Sequence, residues 1–202
     1  MNELNDEYYV VERPSDSSVP LLKADKNSSA KKYWTKEYKF DGQPLIFSNK
    51  KKEKNLAQGI SEKISSILFT PDEIVINASL YSVLSSFNIE GVEFIPAVYI
   101  ANTGEWHEDY WYVKIVNDFD CWSRKLSKYN PEARTSSGWH YVYKYVLDID
   151  VIDRVPLKQR MLFNMGGVSM PVICAHSSVI MSIKLNPNVM DDFFIPLAEY
   201  EG

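Results

Sequence analysis

Residues 73–100 read EIVINASLYSVLSSFNIEGVEFIPAVYI, and the two changes of hydrophobic period inside this stretch decide the fold. The run from Glu73 to Ile76 has the form of a short buried strand. Directly after it, Leu80, Val83, Leu84 and Phe87 fall at the i, i+3, i+4, i+7 spacing of a helix with one apolar face. Asn77 or Ser79 caps that helix by accepting a hydrogen bond from an unpaired N–H of its first turn. The segment 91–100 then returns to strand, and Pro96, which cannot donate to a ladder, calls for an edge position or a bulge. Strand, capped helix and strand in close succession predict an α+β fold: one domain over residues 1–202, with a mixed or mainly antiparallel sheet and a few packed helices.

Working outward, residues 108–123 read EDYWYVKIVNDFDCWS. Tyr110, Tyr112 and Lys114 alternate with Trp111, Val113 and Ile115, which describes a strand buried on both faces. The segments on either side, GEWHED and NDFDCWS, read as acidic, aromatic loops, and the connection ANTGEWHED is long for a hairpin. Toward the N-terminus, YYVVE (8–12) is a strand, RPSDSSVP (13–20) is a turn, residues 23–40 show no clear period, and NKKKEKN (49–55) is a local basic run that reads as a solvated loop or helix start. Toward the C-terminus, WHYVYKYVLDIDVID (139–153) reads as a two-sided strand with Tyr141, Tyr143, Tyr145, Leu147 and Ile149 on one face. Gly166 and Gly167 mark a turn. PVICA (171–175) is a strand followed by a helix begun by His176 or Ser177 and carrying Val179, Ile180 and Ile183. The segments IVINASLYSVL and VICAHSSVIMSI share one pattern, a resemblance that common local physics explains without duplication. The tail, 190–202, is acidic and aromatic.

At 202 residues, 45% hydrophobic and 24% charged, the chain has the composition of a soluble globular protein. It buries about 70% of the surface that it would expose unfolded. Cys121 and Cys174 are too few for a disulfide framework and suit a reducing compartment. No charged leader with an apolar core opens the sequence, and no apolar run approaches the ~18 residues that span a bilayer; we expect a cytoplasmic protein. A net charge of -5 opposes nucleic-acid binding and favours a basic protein partner.

Catalytic motifs are missing from the sequence. The three histidines, His107, His140 and His176, stand at no metal-ligand spacing from one another, from cysteine or from carboxylates. No phosphate-binding glycine loop and no nucleophile elbow occurs. Asp148, Asp150 and Asp153 read as solvated strand ends, and both cysteines as small hydrophobes. We therefore assign no catalytic residue, no metal and no cofactor.

Taken together, NASLYSVLSSFNIEGVEFIPAVYI, the strand YWYVKIVN, the turn DFDCWS and the late PVICAHSSVIMSI resemble an immunity-protein family of bacterial polymorphic toxin and type VI secretion systems. The resemblance covers residues 73–185, and the first 70 match loosely. The family's Ser-led helix start falls on Asn77, a departure that still caps, and its Asp-to-Ser turn falls on Asp120 and Ser123. The resemblance implies a cytoplasmic antitoxin that binds a cognate toxin domain, a nuclease among the candidates, and occludes its active site. The acidic, aromatic loop residues Glu105, Trp106, Glu108, Asp109, Asp118, Asp120 and Trp122 are the expected contacts, since aromatics anchor interfaces and carboxylates steer a basic partner. Two other readings stay open: an enzyme whose site joins distant segments around Cys121 and His140, and an adaptor domain of a secretion apparatus.

Overall fold

A computed structural model describes residues 3–30, 40–116, 118–135, 138–186, 189 and 193–202. The expectations for residues 31–39 and for the start of the tail lie outside the described residues. In chain order the elements are β1 (Tyr8–Val11), β2 (Leu22–Ala24), β3 (Leu45–Asn49), α1 (Lys52–Ala57), β4 (Ile67–Phe69), β5 (Ile74–Asn77), α2 (Ala78–Ser86), β6 (Val92–Ile100) and β7 (Trp106–Ile115). They continue with β8 (Asp118–Phe119), β9 (Lys128–Arg134), β10 (His140–Lys144), α3 (Ile149–Ile152), β11 (Leu162–Met165), β12 (Ile173–His176), α4 (Ser177–Lys184) and β13 (Phe194–Pro196). The chain is a single α+β domain with mixed sheets and several helices, as the alternating periods predict.

Six strands form one sheet in the order β2-β3-β6-β7-β5-β4. A bridge between Leu21 and Phe69 brings its two edges together, so the sheet curls into a small barrel. Leu45, Phe47, Leu68, Val75, Ile95 and Tyr112 fill the interior. A second sheet has the order β13-β1-β12-β11-β8, and β9 pairs with β10 in a separate two-stranded arm. Strand alternation sends Ile67, Ile74 and Ile76 out of the barrel into a central core, where Leu80 and Leu84 of α2 meet Val179, Ile180 and Ile183 of α4 and Leu162, Ile173 and Ala175 of the second sheet. Burying each leucine, isoleucine or valine side chain there contributes about 1.5–3 kcal/mol, so this shared layer is what joins the two sheets.

The resemblance between IVINASLYSVL and VICAHSSVIMSI extends to tertiary structure. Each segment is the second strand of an antiparallel hairpin, β4-β5 or β11-β12, running directly into a helix. The cap is the strand's last residue in both: Asn77 Oδ1 accepts from Leu80 N–H at 3.1 Å, and His176 Nδ1 accepts from Ser178 N–H at 3.2 Å. Hydrogen bonding to the first turn satisfies donors that the helix cannot. The two helices then pack on each other.

Pro96 sits in β6, an interior strand of the barrel, yet β3 pairs with β6 only from Ala97 onward. The residues before Ala97 form a local edge on that side, and a register shift follows between Ala97 and Tyr99. Both conditions expected of a strand proline are therefore met. The basic run at 49–55 starts a helix, as one of its two readings expects: it contributes to α1, whose Asn55 is buried and donates from Nδ2 to Ser17 O at 3.1 Å. One expectation is corrected. The strand expected over 139–153 ends at Lys144; Asp148 is the N-cap of α3, accepting from Asp150 N–H at 3.1 Å, so Asp148 and Asp150 stand at a helix start and Asp153 at its C-cap instead of at strand ends.

Candidate functional site

The acidic, aromatic segment before the central strand is not a loop. β7 begins at Trp106, with Trp106 opposite Ile100 and His107 opposite Tyr99, so only residues 101–105 connect the strands. Ala101 N–H donates to Glu105 O and Gly104 N–H to Ala101 O, both at 2.9 Å, closing a tight turn. Gly104 has φ +92, a left-handed conformation that favours glycine. Ala97 opposes Tyr110 while Tyr99 opposes His107, so β7 carries one residue more than β6 over this interval. Such a bulge bends the strand and re-aims side chains. Glu105, Glu108 and Asp109 are exposed, Trp106 is 56% exposed, and none of the three carboxylates has an ion-pair partner among the described residues.

Glu62 holds this hairpin end in place. Its carboxylate accepts from the Tyr99 hydroxyl, from Asn49 Nδ2 at 3.2 Å and from Asn102 N–H at 2.8 Å. The His107 ring lies against Tyr99, with centroids 6.1 Å apart. The projecting Trp106 and its carboxylates thus stand on a fixed scaffold.

The segment after β7 lies elsewhere. The strand separates Trp106 from Ile115 by nine steps of about 3.3 Å, or about 30 Å, and the chain then enters the second sheet, where β8 pairs with β11. Asp118 is exposed there. Asp120 is engaged by Arg124, with Nη2 donating to Oδ2 at 2.7 Å, and the guanidinium lies 3.8 Å from the centre of the Trp122 ring. Trp122, expected as a surface anchor, is a core residue at 2% exposure; its Nε1–H donates to Gly166 O at 3.0 Å, and its ring packs edge-on against Tyr129 and His140. It offers no surface to a partner. The approach of the Asp120 backbone also explains Gly166, where a Cβ would lie 2.7 Å from Asp120 N, while Gly167 has φ +71, a left-handed conformation that favours glycine. The expected contacts therefore divide, with Glu105, Trp106, Glu108 and Asp109 together at the hairpin end and the rest apart from them.

The Cys121 and His140 pairing fares poorly as chemistry. Cys121 is fully buried, with its Sγ 3.7 Å from Met165 Sδ. Burial pushes its thiol well above the ordinary value, and Cys174 is raised by the same cause. A nucleophilic cysteine needs the opposite shift. Among the described residues, no three or more His, Cys, Asp or Glu side chains gather as a metal site.

A second concave surface has little signature in the sequence. A cleft of about 450 Å³ opens where the barrel meets the second sheet and the β10 arm. The exposed face of β10 supplies Tyr141 and Tyr143, the β11-β12 turn supplies Met170, and the β4-β5 turn supplies Asp72 and Glu73. Its residues come from six separate segments. The clue in the sequence is the alternation of Tyr141 and Tyr143 with Val142, which the structure turns inward into the core.

No family model matches the chain, and no curated protein matches it. No helix among the described residues is long and apolar enough to cross a membrane.

Proposed function

We propose that the protein is a cytoplasmic antitoxin of the immunity type, which binds one toxin domain stoichiometrically and covers its active site. The observation that carries this reading is the β6-β7 hairpin end: an exposed tryptophan among three carboxylates, on a bulged turn that Glu62 pins. Tryptophan is enriched among residues that dominate binding energy, because a large rigid ring buries much area at little entropic cost. The surrounding carboxylates attract a basic substrate groove, such as that of a nuclease, and speed encounter with it. Rigidity reduces the ordering cost on binding. The resemblance over residues 73–185 and the net charge of -5 support the same reading.

The test is co-expression with the product of the neighbouring upstream gene, scoring growth and co-purification. Wild-type protein should restore growth and co-purify one to one. Trp106→Ala should weaken the complex by at least tenfold, about 1.4 kcal/mol, and adding Glu108→Lys and Asp109→Lys should abolish protection. Full protection by that triple variant would refute the hairpin as the contact surface. An upstream product that is neither toxic nor bound would refute the antitoxin reading.

A further inference from the structure

We propose that the cleft between the barrel and β10 is a binding site for an extended, cationic polypeptide segment, with an arginine or lysine side chain seated against Tyr141 and Tyr143 and the carboxylates of Glu12, Asp72, Glu73 and Glu201 around it. The site is distinct from the hairpin end and stands whether or not the partner is a toxin.

Size comes first: about 450 Å³ lies within the roughly 300–1,000 Å³ of ligand-binding clefts. Chemistry comes second. Tyr141 and Tyr143 are 46% and 52% exposed, and Met170 is 67% exposed. Tyrosine and methionine are the residues that interfaces favour, and a tyrosine face attracts a cation within about 6 Å of its centre. Met170 and Pro171 carry the apolar surface to the cleft's exposed margin, a contact that a chain segment uses and a small cation does not.

Charge decides the occupant. Among the described residues, four acidic residues line the cleft against one guanidinium, that of Arg13. Arg13 is turned onto its own loop, donating from Nη2 to Val19 O at 2.6 Å and to Asp16 O at 2.9 Å. Partial burial of its carboxyl raises Glu12 above its ordinary value, so a cation beside it would favour the charged form.

The walls are already formed. Thr70 N–H and Oγ1 both donate to Glu73 O at 2.9 Å, and Glu73 N–H donates to Thr70 Oγ1 at 2.9 Å, fixing the acidic turn. Gly202 N–H donates to Tyr143 O at 3.1 Å, holding the Glu201 strand against β10. Little ordering cost remains for a ligand to meet.

The test is fluorescence anisotropy with a labelled peptide of alternating arginine and leucine. Controls are the same peptide with glutamate for arginine, and spermine as competitor. The arginine peptide should bind and the glutamate peptide should not. Affinity should fall at least tenfold in Glu12→Gln/Glu201→Gln and in Tyr141→Ala/Tyr143→Ala, and stay unchanged in Trp106→Ala. Glu12 and Glu201 are exposed, so the glutamine variant remains decisive if the tyrosine variant fails to fold. Equal binding by wild type and glutamine variant would reduce the effect to general attraction by an acidic protein and overturn the site. Absence of peptide binding overturns it as well, and spermine binding more tightly than the peptide would assign the cleft to a small polycation instead. Growth rescue without peptide binding, or the reverse, separates this site from the antitoxin reading.

Discussion

Replacing Trp122 by alanine is expected to cost the fold about 4–6 kcal/mol. The ring is 2% exposed and packs against Tyr129 and His140. Truncating a buried tryptophan removes its transfer free energy and leaves a cavity, together about 3–5 kcal/mol. Losing the Nε1–H bond to Gly166 O adds about 1 kcal/mol. Arg124 also loses the face it covers, but the guanidinium is partly solvated and this contributes little. Against a total stability of about 5–15 kcal/mol, the variant stands near the threshold of folding. With a urea m-value of about 2 kcal/mol/M, the midpoint should fall by about 2 M or more, followed by far-ultraviolet circular dichroism. Trp122→Phe, which keeps most of the volume and drops the donor, should lose a smaller amount, and Trp106→Ala should stay within about 0.5 kcal/mol. A midpoint shift below about 0.3 M for Trp122→Ala, at unchanged m, would refute the core assignment and return Trp122 to the surface.

Gly166→Ala should destabilise by about 1–3 kcal/mol, since the new Cβ meets the Asp120 backbone at 2.7 Å and backbone yields less than a side-chain tip; a thermal midpoint equal to wild type would contradict it. Stability should also decline in mild acid through His176. Burial lowers the imidazole below its ordinary value of 6.5, with Arg160 adding to that and Glu7, whose Oε2 is 3.7 Å from Nε2, opposing it. The unfolded chain then binds the proton more readily than the folded one, so the His176 contribution is complete above about pH 6.5 and is lost as pH falls through the lowered folded value. Protonation also removes the Nδ1 acceptor that caps α4. His176→Asn, which still caps, should flatten this part of the pH profile measured by urea midpoint, and an identical slope in both proteins would exclude His176 as its source.

The strand, cap and helix of residues 74–87 are legible because each signal is local: Asn77 caps the helix directly after it, and Leu80 and Leu84 share a face within two turns. The same holds for His176 and α4. Where the sequence misleads, the deciding contact comes from far along the chain. Trp122 resembles a loop anchor because nothing near it shows that Gly166, 44 residues later, passes close enough to bury it. Trp106, His107, Glu108 and Asp109 read as loop because polar, bulged strand lacks alternating hydrophobicity; only pairing with β6 defines them. Asp148 illustrates a third failure, in which a carboxylate inside an apolar run serves as a helix cap. The cleft gathers residues from across the chain and has no local signature beyond two exposed tyrosines.

In the second sheet, β1 lies between β12 and β13, and Tyr8 opposes His176. On a ribosome adding about 5–20 residues per second, β1 is made roughly 10–30 s before this neighbour. Until then Tyr8 and Val10, which the finished molecule buries, have no sheet to join. The central core is in a similar position, because Ile173 and Ala175 of β12 and Val179, Ile180 and Ile183 of α4 belong to it. A nascent chain halted before Ile173 therefore holds the barrel's outward-facing isoleucines without the part of their cover that β12 and α4 supply, a species prone to aggregation. If the protein serves as an antitoxin, its protection begins only once β12 and α4 have been made and docked, and a lineage producing both proteins needs a standing supply in advance of the toxin.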